Sequence, residues 1–533
     1  MGGRVLVIGL DGYEPSLAEA MMAEGRLPAL RSLRDRAAHF HLDHGAAKRT
    51  GLAWEHFATG KAPGEGGRDS AVDFDPKRYR VSQAPTRALP WIAWSGARAV
   101  VFDAPYLDLD AVPEARGLVA WGAHDPGVPP HCSPPGLAME LRARFGEYPA
   151  REWIYGFTWP DTEATRRMGR DLTKAVELRA AASEWLLAER LPDWDLALVV
   201  VSECHSAVEP MWHGVDPAHP LHGHPSAVAA GEGLRSVMEA TDRLVARLAA
   251  AFPDATLVTL AMHGMGPNDS DVASMALLPE LMYRHAFGRP HLRPPELPAD
   301  PTGLPLLAPG DRWEEVMLRA VPYTPAERLW DVARRRLLRR DSGLDWMPAA
   351  RYRRFWRRMP AFALPSFYDG RIRLNLQGRE RHGTVAWERY GSLCATLEAM
   401  LMQCRDPLTG EPAVAEVVRS GGNDPAALGP DGCDLIVVWR GAPLALEHRK
   451  HGSIGPLPYR RTGGHTGRYG EIMIAAPGVT PGRRGVRSSF DVVPTLSALL
   501  GERAPRTVSG RSLMPDLAPV PAAAPERPSP IPA

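Results

Sequence analysis

Short runs of Val, Ile and Leu recur along this chain: "RVLVIGL" (4–10), "ARAVVFD" (97–103), "LALVVVS" (196–202), "ATLVTLA" (255–261), "RIRLNL" (371–376), "DLIVVW" (434–439) and "EIMIAA" (471–476). Runs of this length bounded by polar residues read as buried strands. Between many of them lie amphipathic helical patterns such as "SLAEAMMAEGRLPALRSLRDRAA" and "LRSVMEATDRLVARLAAAF", with apolar residues at i, i+3 and i+4. Strands apolar on both faces need a cover on both faces. The expected fold class is therefore α/β, a largely parallel central sheet with helices on each side.

The alternation breaks twice. From about 265 to 360 a Pro-rich stretch, "GRPHLRPPELPADPTGLPLLAPG", leads into Arg-rich helices, and a second irregular region covers roughly 65 to 170; both are expected to be inserted caps. The expected organisation is one catalytic domain over 1–515 and a disordered Pro/Ala-rich tail over 516–533, where "APVPAAAPERPSPIPA" has almost no core-forming side chains.

Lys plus Arg (63) nearly cancel Asp plus Glu (62), so no global field recruits nucleic acid or a membrane surface. The five cysteines are widely spaced without a CxxC pair, which argues against a disulfide framework and a cysteine-based zinc site. The apolar stretch Val5 to Leu10 is too short for a signal-peptide core or a spanning helix. A cytoplasmic location is the resulting expectation.

Ligands of open α/β sheets bind beyond the carboxyl ends of the parallel strands. The run 4–10 ends on Asp11; 196–202 leads into "ECHSAVE" with His205 and Glu209; 255–261 ends near His263; and "RTGGHTGRYG" places His465 in a Gly-rich loop before another strand. Carboxylate and imidazole together suit a borderline divalent ion, zinc above all, or manganese where water completes the shell. Thr50, in "KRTGLAWEHFATGKAPG", precedes a short helical stretch (51–58), where free backbone N–H groups and the dipole favour an alkoxide. The alternative for Thr50 alone is an N-cap.

"VLVIGLDGYEP", "TGLAWEHFATGKAPG", "LALVVVSECHSAVEPMWHGVDPAHP", "RIRLNLQGRERHGTV", "RDPLTGEPAV", "YRRTGGHTGRYGEIMIAAPGV" and "SFDVVPTLSALLGERAPRTVSGRSL" together resemble the alkaline phosphatase superfamily, in its type I phosphodiesterase/nucleotide pyrophosphatase branch. The resemblance is collinear from residue 4 to about 515. It implies a metal-dependent phosphoester hydrolase or phosphoryl transferase of alkaline phosphatase-like fold, with Thr50 as nucleophile and a covalent phospho-enzyme. One or two divalent ions are implied, Asp11, Thr50 and His263 falling on one ion's ligand positions and His465 on the other's. The implied substrate is a small phosphorylated anion.

Two departures stand out. "AMHG" puts Met262 where the family has a carboxylate, and a thioether is a poor ligand for a hard or borderline ion. Where the family has Asp and then His four residues on, this chain has His205 and then Glu209, followed by Pro210, which disfavours helical geometry at Glu209. His205, Glu209 and His465 are the expected ligands of the second ion, with His213 or Asp216 as replacements for Glu209. These departures leave open a degenerate member that binds a ligand without hydrolysis or acts on a different ester.

"CSPPG" at 132 lacks the Arg of a sulfatase motif, and the role of Lys48 and Arg49 beside Thr50 is not assigned by sequence. His213, His219, His222 and His224 form a second histidine-rich stretch, read first as solvated loop and second as a separate metal site. Arg334, Arg335, Arg336, Arg339, Arg340, Arg351, Arg353, Arg354, Arg357 and Arg358 form a basic concentration, read first as a solvated helical face and second as a docking surface for a polyanionic substrate or an acidic carrier protein. Asn375, Arg379 and His382 carry no assigned chemistry.

Overall fold

The structure is a computed structural model that describes residues 3–83, 88–155, 161–323, 344–422, 424–428 and 432–517. Its strands are β1 (Val5–Leu10), β2 (Ala38–Asp43), β3 (Ala99–Phe102), β4 (Arg116–Val119), β5 (His131–Ser133), β6 (Leu196–Val201), β7 (Thr256–Ala261), β8 (Ala361–Leu364), β9 (Gly370–Leu374), β10 (Val414–Arg419), β11 (Leu435–Trp439), β12 (Gly470–Ala475) and β13 (Gly482–Ser488), leaving aside shorter hairpins. Nine of them form one sheet in the order β13-β2-β12-β7-β1-β6-β3-β4-β5.

β1 lies at the centre, parallel to β6 and β7, with Val7 opposite both Leu198 and Val258. Every residue of β1 and β6 is buried, as continuous apolar runs require. β12 runs antiparallel between β7 and β2. The loop before β12 therefore shares a rim with the chain leaving β1, β6 and β7. β2 runs with β1, so its exit reaches that rim too.

Helices cover both faces, as the pattern predicts. On one side α1 (Pro15–Ala23), α2 (Pro28–Arg36), α4 (Thr162–Trp185) and α6 (Ala227–Ala251) bury residues such as Leu172 and Leu234 against Leu6 and Ile8. On the other, α3 (Ala53–Thr59) and α7 (Val492–Leu499) pack Trp54, Phe57 and Leu496 against Val5 and Val7. Each fully buried Leu or Phe contributes roughly 1.5–3 kcal/mol. α5 (Glu203–Met211) leaves β6 directly and is buried throughout.

β8, β9, β11 and β10 make a separate antiparallel sheet in that order, with its own apolar core around Phe362, Leu374 and Leu278. The runs 371–376 and 434–439 are thus strands, but of this second layer. Conversely, β3, β4 and β5 fall within the 65–170 range read as a cap and belong to the central sheet. β4 escaped notice because it is short and opens on Arg116 and Gly117. The edge strand β13, "GRRGVRS", was also not anticipated: its charged residues suit an edge, where they discourage pairing with other chains.

A short helix, Met514–Leu517, buries Leu517 and runs two residues into the stretch read as tail. Residues 518–533 lie outside the described residues, as do Arg334, Arg335, Arg336, Arg339 and Arg340. Within the basic concentration, Arg354 donates to the Pro322 carbonyl, and Arg351 donates to the Leu318 and Val321 carbonyls and lies over Tyr323. Those guanidinium groups cap the carbonyl end of the helix Trp313–Ala320 rather than form an open field. No helix among the described residues is long and apolar enough to cross a membrane.

Candidate metal centre and nucleophile loop

Asp11 stands one residue beyond β1, and its backbone N–H bonds Val201 of β6 at 3.0 Å. Its carboxylate faces α5, where His205 Nδ1 lies 3.1 Å from each oxygen. Gly12 makes this approach possible. It has φ +70°, and a Cβ there would lie 2.2 Å from the His205 Cα. Burial alone raises the Asp11 carboxyl, but the charge and hydrogen bond of His205, the His124 imidazole and the Trp54 indole bring it below its ordinary value. With Nδ1–H donated to Asp11, His205 Nε2 is left bare, the tautomer a metal ligand needs.

That Nε2 atom faces three groups. Glu209 Oε1 is 3.4 Å away, one turn along α5. His465 Nε2 is 3.0 Å away. The His124 ring is stacked on the His205 ring with centroids 3.9 Å apart, and His124 Nε2 lies 3.4 Å from Glu209 Oε2. Ligand atoms of His124, His205 and Glu209 all fall within 4.8 Å of one another.

The expectation that Pro210 would turn Glu209 away from His205 is not met. α5 continues to Met211, and Pro210 is its penultimate residue, so only the last turn forgoes a hydrogen bond. Tertiary contacts then hold the position: Thr462 N donates to the Glu209 carbonyl at 2.8 Å, and the Arg461 guanidinium lies on Glu209 Oε1. Arg461 also grips buried Asp271 in bidentate fashion, at 2.6 and 3.1 Å. The proposed replacements are engaged elsewhere: His213 with Thr462 and Ser226, and Asp216 with the Trp212 indole at 3.0 Å.

His263 follows β7. Its Nδ1–H donates to the Gly264 carbonyl at 3.0 Å, which again leaves Nε2 bare, and its ring packs 4.4 Å from that of His465. Burial lowers the His263 pKa to about 4, burial lowers that of His124 to about 3, and burial with the crowding of His263, His205 and Arg461 pushes His465 well below the usual range. These imidazoles are neutral at pH 7, as ligands must be. The two expected ligand sets are not separate in space: Asp11 and Glu209 sit on opposite ring nitrogens of His205. Met262 is buried in the apolar core against the α3 face and offers its neighbours a methyl thioether.

Thr50 closes a turn of 3-10 helix, Gly45–Thr50, at the exit of β2. The sequence suggested that it heads a helix directly. Instead Gly51, with φ +71°, ends the turn, and α3 begins two residues later. Thr50 Oγ1 donates to the Ala47 carbonyl at 2.7 Å and accepts from Leu52 N–H at 3.1 Å. Tyr368 lies over Gly51, whose added Cβ would sit 2.4 Å from the ring, and the Tyr368 hydroxyl reaches His465 Nε2 at 3.2 Å. Lys48 Nζ donates to the Gly467 carbonyl at 3.3 Å, and the Arg49 guanidinium lies 3.6 Å from the Asp369 carboxylate. The Thr50 turn is thus tied to the loop carrying His465.

A buried ion cluster steadies the other side. Arg179, fully buried, bonds both oxygens of Glu203 and Asp103 Oδ2 at 2.8–3.1 Å. Asp103 also accepts from Trp121 and Gly122 N–H at 2.8 Å, fixing the loop that delivers His124. His124, Arg461 and Tyr368 were missed in the sequence. His124 could have been found by applying the strand-end rule after 116–119; Arg461 and Tyr368 had no local signal.

A family model described as Type I phosphodiesterase / nucleotide pyrophosphatase matches residues 5–293, more than half of the chain. Among solved structures, the chain is similar to phosphonoacetate hydrolase from Sinorhizobium meliloti 1021 in complex with phosphonoformate (16% identity, 92% of this chain and 94% of that chain, TM-score 0.47). It is also similar to murine ectonucleotide pyrophosphatase / phosphodiesterase 5 in complex with AMP (12% identity, 97% and 99%, TM-score 0.46) and to the alkaline phosphatase PafA (11% identity, 96% and 99%, TM-score 0.49). Such values leave the reaction to be argued from the family and from the residues themselves. No curated protein sequence matches the chain. The stretch matched by the family model carries Asp11, Thr50, His205, Glu209 and His263, and the chain belongs to the type I phosphodiesterase / nucleotide pyrophosphatase family, a family of phosphoester hydrolases.

Proposed function

We propose that the chain hydrolyses a phosphoester through Thr50, at a divalent metal centre held by Asp11, His205, Glu209, His263 and His465, with His124 as a further ligand. The single observation that carries this reading is the convergence of bare imidazole nitrogens on carboxylates at one rim of the sheet, with His465 Nδ1 buried and without a hydrogen-bond partner. Neutral imidazoles and carboxylates suit zinc, with manganese as the second choice. When bound, the ion supplies positive charge that favours the Thr50 alkoxide and neutralises the nonbridging phosphate oxygens.

The chain's own residues do the rest. Thr50 Oγ1, which now donates to the Ala47 carbonyl, gives up its proton to solvent water and attacks phosphorus, so that a P–O bond forms to threonine as the bond to the leaving-group oxygen breaks and that oxygen takes up a proton from water. Leu52 N–H remains aimed at Oγ1 and stabilises negative charge there. Water then cleaves the phosphothreonine and restores the hydroxyl. Beside the cluster lies a cavity of about 890 Å³ lined by Tyr106, Tyr155, Trp346, Phe367 and Tyr368, with Arg461 at the cluster end. Its aromatic walls suit an ester whose leaving group is flat and apolar.

A one-ion version of this centre is favoured by one specific contact. The Arg461 guanidinium already neutralises the Glu209 carboxylate, which leaves less negative charge for a second cation. The deciding experiment is elemental analysis of the purified chain with assays of bis-p-nitrophenyl phosphate, p-nitrophenyl phosphate and p-nitrophenyl sulfate. Bound zinc or manganese, with phosphoester turnover abolished in Thr50→Ala, supports the proposal. Turnover indifferent to both the ion and Thr50 overturns it.

A further inference from the structure

The turn that carries Thr50 is bracketed by two glycines in the left-handed region, Gly45 with φ +58° and Gly51 with φ +71°. Glycine adopts that region without strain, but it leaves the chain free to swing at both ends of the segment. The bonds nearest the first hinge are local, with Asp43 Oδ1 accepting from Gly45 N–H at 2.7 Å. Lys48 and Arg49 tie the outer edge of the turn to Gly467 and Asp369. Its base needs a separate tie.

Two histidines supply it. His44 immediately precedes Gly45 at the exit of β2, and His56 lies in α3, beyond Gly51. His44 Nε2 is 3.2 Å from His56 Nδ1, His56 Nε2 is 2.7 Å from the Arg68 carbonyl, and His44 Nδ1 is 2.5 Å from Ser489 Oγ. All three side chains are buried, and the Phe490 ring stacks on His44 with centroids 5.0 Å apart. Register places Ser489: Ser488 at the end of β13 pairs with Asp43 at the end of β2, so the next residues of the two strands are neighbours.

The protons of this chain have one consistent arrangement. A carbonyl only accepts, so His56 Nε2 carries the proton directed at Arg68. Burial lowers His56 to about 4, and burial with the neighbouring His56 holds His44 well below the usual range, so both rings are neutral at pH 7. A neutral ring has a single N–H. His56 Nδ1 therefore accepts from His44 Nε2–H, and His44 Nδ1 accepts from the Ser489 hydroxyl. Each ring is fixed in orientation and tautomer, and the bond between them spans both glycine hinges.

We propose that His44 and His56 are positioning residues for Thr50: their hydrogen bond closes the base of the turn and holds Oγ1 where it attacks. This rests on Thr50 as the nucleophile. In-line attack tolerates little displacement, and a shift of about 1 Å costs on the order of 10²-fold in rate. Neither imidazole lines the cavity beside the metal centre, so the pair acts on turnover rather than on substrate binding.

Asparagine places an amide atom near the imidazole Nδ1 position, and glutamine places one near Nε2. His44→Gln and His56→Asn thus keep the bond between the two side chains, whereas His44→Asn and His56→Gln break it. The test is steady-state kinetics of these full-length variants and of Thr50→Ala on the p-nitrophenyl ester that the wild-type chain turns over, with Tm measured on the same preparations. In His44→Asn and His56→Gln, kcat and kcat/KM are expected to fall together by roughly tenfold or more; His44→Gln and His56→Asn are expected to recover most of that loss. A purely structural role lowers Tm without this crossed pattern. Ser489→Ala, the mildest cut in the chain, is expected to lower kcat severalfold and decides the matter should the bond-breaking variants not fold. Wild-type turnover in the folded bond-breaking variants, wild-type turnover in Ser489→Ala where those do not fold, or an equal loss in all the imidazole variants overturns the proposal while an inactive Thr50→Ala leaves the nucleophile in place. Full turnover by Thr50→Ala overturns both.

Discussion

His205 and His465 meet Nε2 to Nε2 at 3.0 Å, although they lie on a helix and a loop 260 residues apart. Two imidazole nitrogens in that position are satisfied either by one shared proton or by a cation that takes both lone pairs. On the proposed reading, zinc at about a hundredfold its Kd stabilises the chain by about 2.7 kcal/mol. A chelator is expected to reverse the gain in Tm, and His205→Ala to lose it. A thermal scan with and without zinc checks this.

Thr50→Ala is expected to keep the fold, because the hydroxyl bonds only the local Ala47 carbonyl and Leu52 N–H. On the proposed role of Thr50 as nucleophile, its loss is expected to lower kcat on the order of 10³-fold or more. Circular dichroism and steady-state kinetics on the same preparation separate the two effects. A variant that folds and retains full turnover removes Thr50 from the chemistry.

Met262→Asp restores a carboxylate to a position now buried in the apolar core. Without an ion the new charge has no partner, and a loss of about 2–5 kcal/mol is expected. Added zinc is expected to recover part of it, so the difference in Tm between chelated and zinc-loaded protein should be larger for the variant than for the wild type.

Arg179→Met is expected to cost about 3–5 kcal/mol, because it leaves Glu203 and Asp103 buried without their cation. Urea unfolding measures it. Since Glu203 begins the helix that presents His205, activity is expected to fall even under conditions where the variant remains folded.

Stability is expected to fall as pH drops from about 6.5 toward 4. Burial lowers His56 to about 4 and His213 to about 3, both outside the proposed ligand set. In that window the unfolded chain binds protons that the folded chain does not, so unfolding is favoured by up to about 1.4 kcal/mol per pH unit for each such group. The contribution is fully present above pH 6.5. Replacing His56 with Gln, which keeps a donor for the Arg68 carbonyl, is expected to flatten the slope of denaturation midpoint against pH.

The strands could be read from composition because a strand covered on both faces is apolar almost throughout: Val5–Leu10 and Leu196–Val201 are wholly so, and Thr256–Ala261 is interrupted only by its two threonines. The residues just beyond them followed by a rule of topology. β4, β13 and the second sheet were harder, since an edge strand or a one-sided strand carries charge at little cost. His124 was lost with β4.

By itself the sequence determined the α/β class and the positions of Asp11, His205, His263 and His465 at element ends, because each depends on local pattern; that Met262 stands where a carboxylate is expected came from the family resemblance. Tertiary structure decided that Glu209 stays on the His205 face, that Arg461 sits on its carboxylate and that Tyr368 bridges the Thr50 turn to His465. Those outcomes rest on contacts between segments separated by scores to hundreds of residues. Pro210 alone argues against the first of them, and only the packing of Arg461 and Thr462 on the end of α5 overrides that local preference.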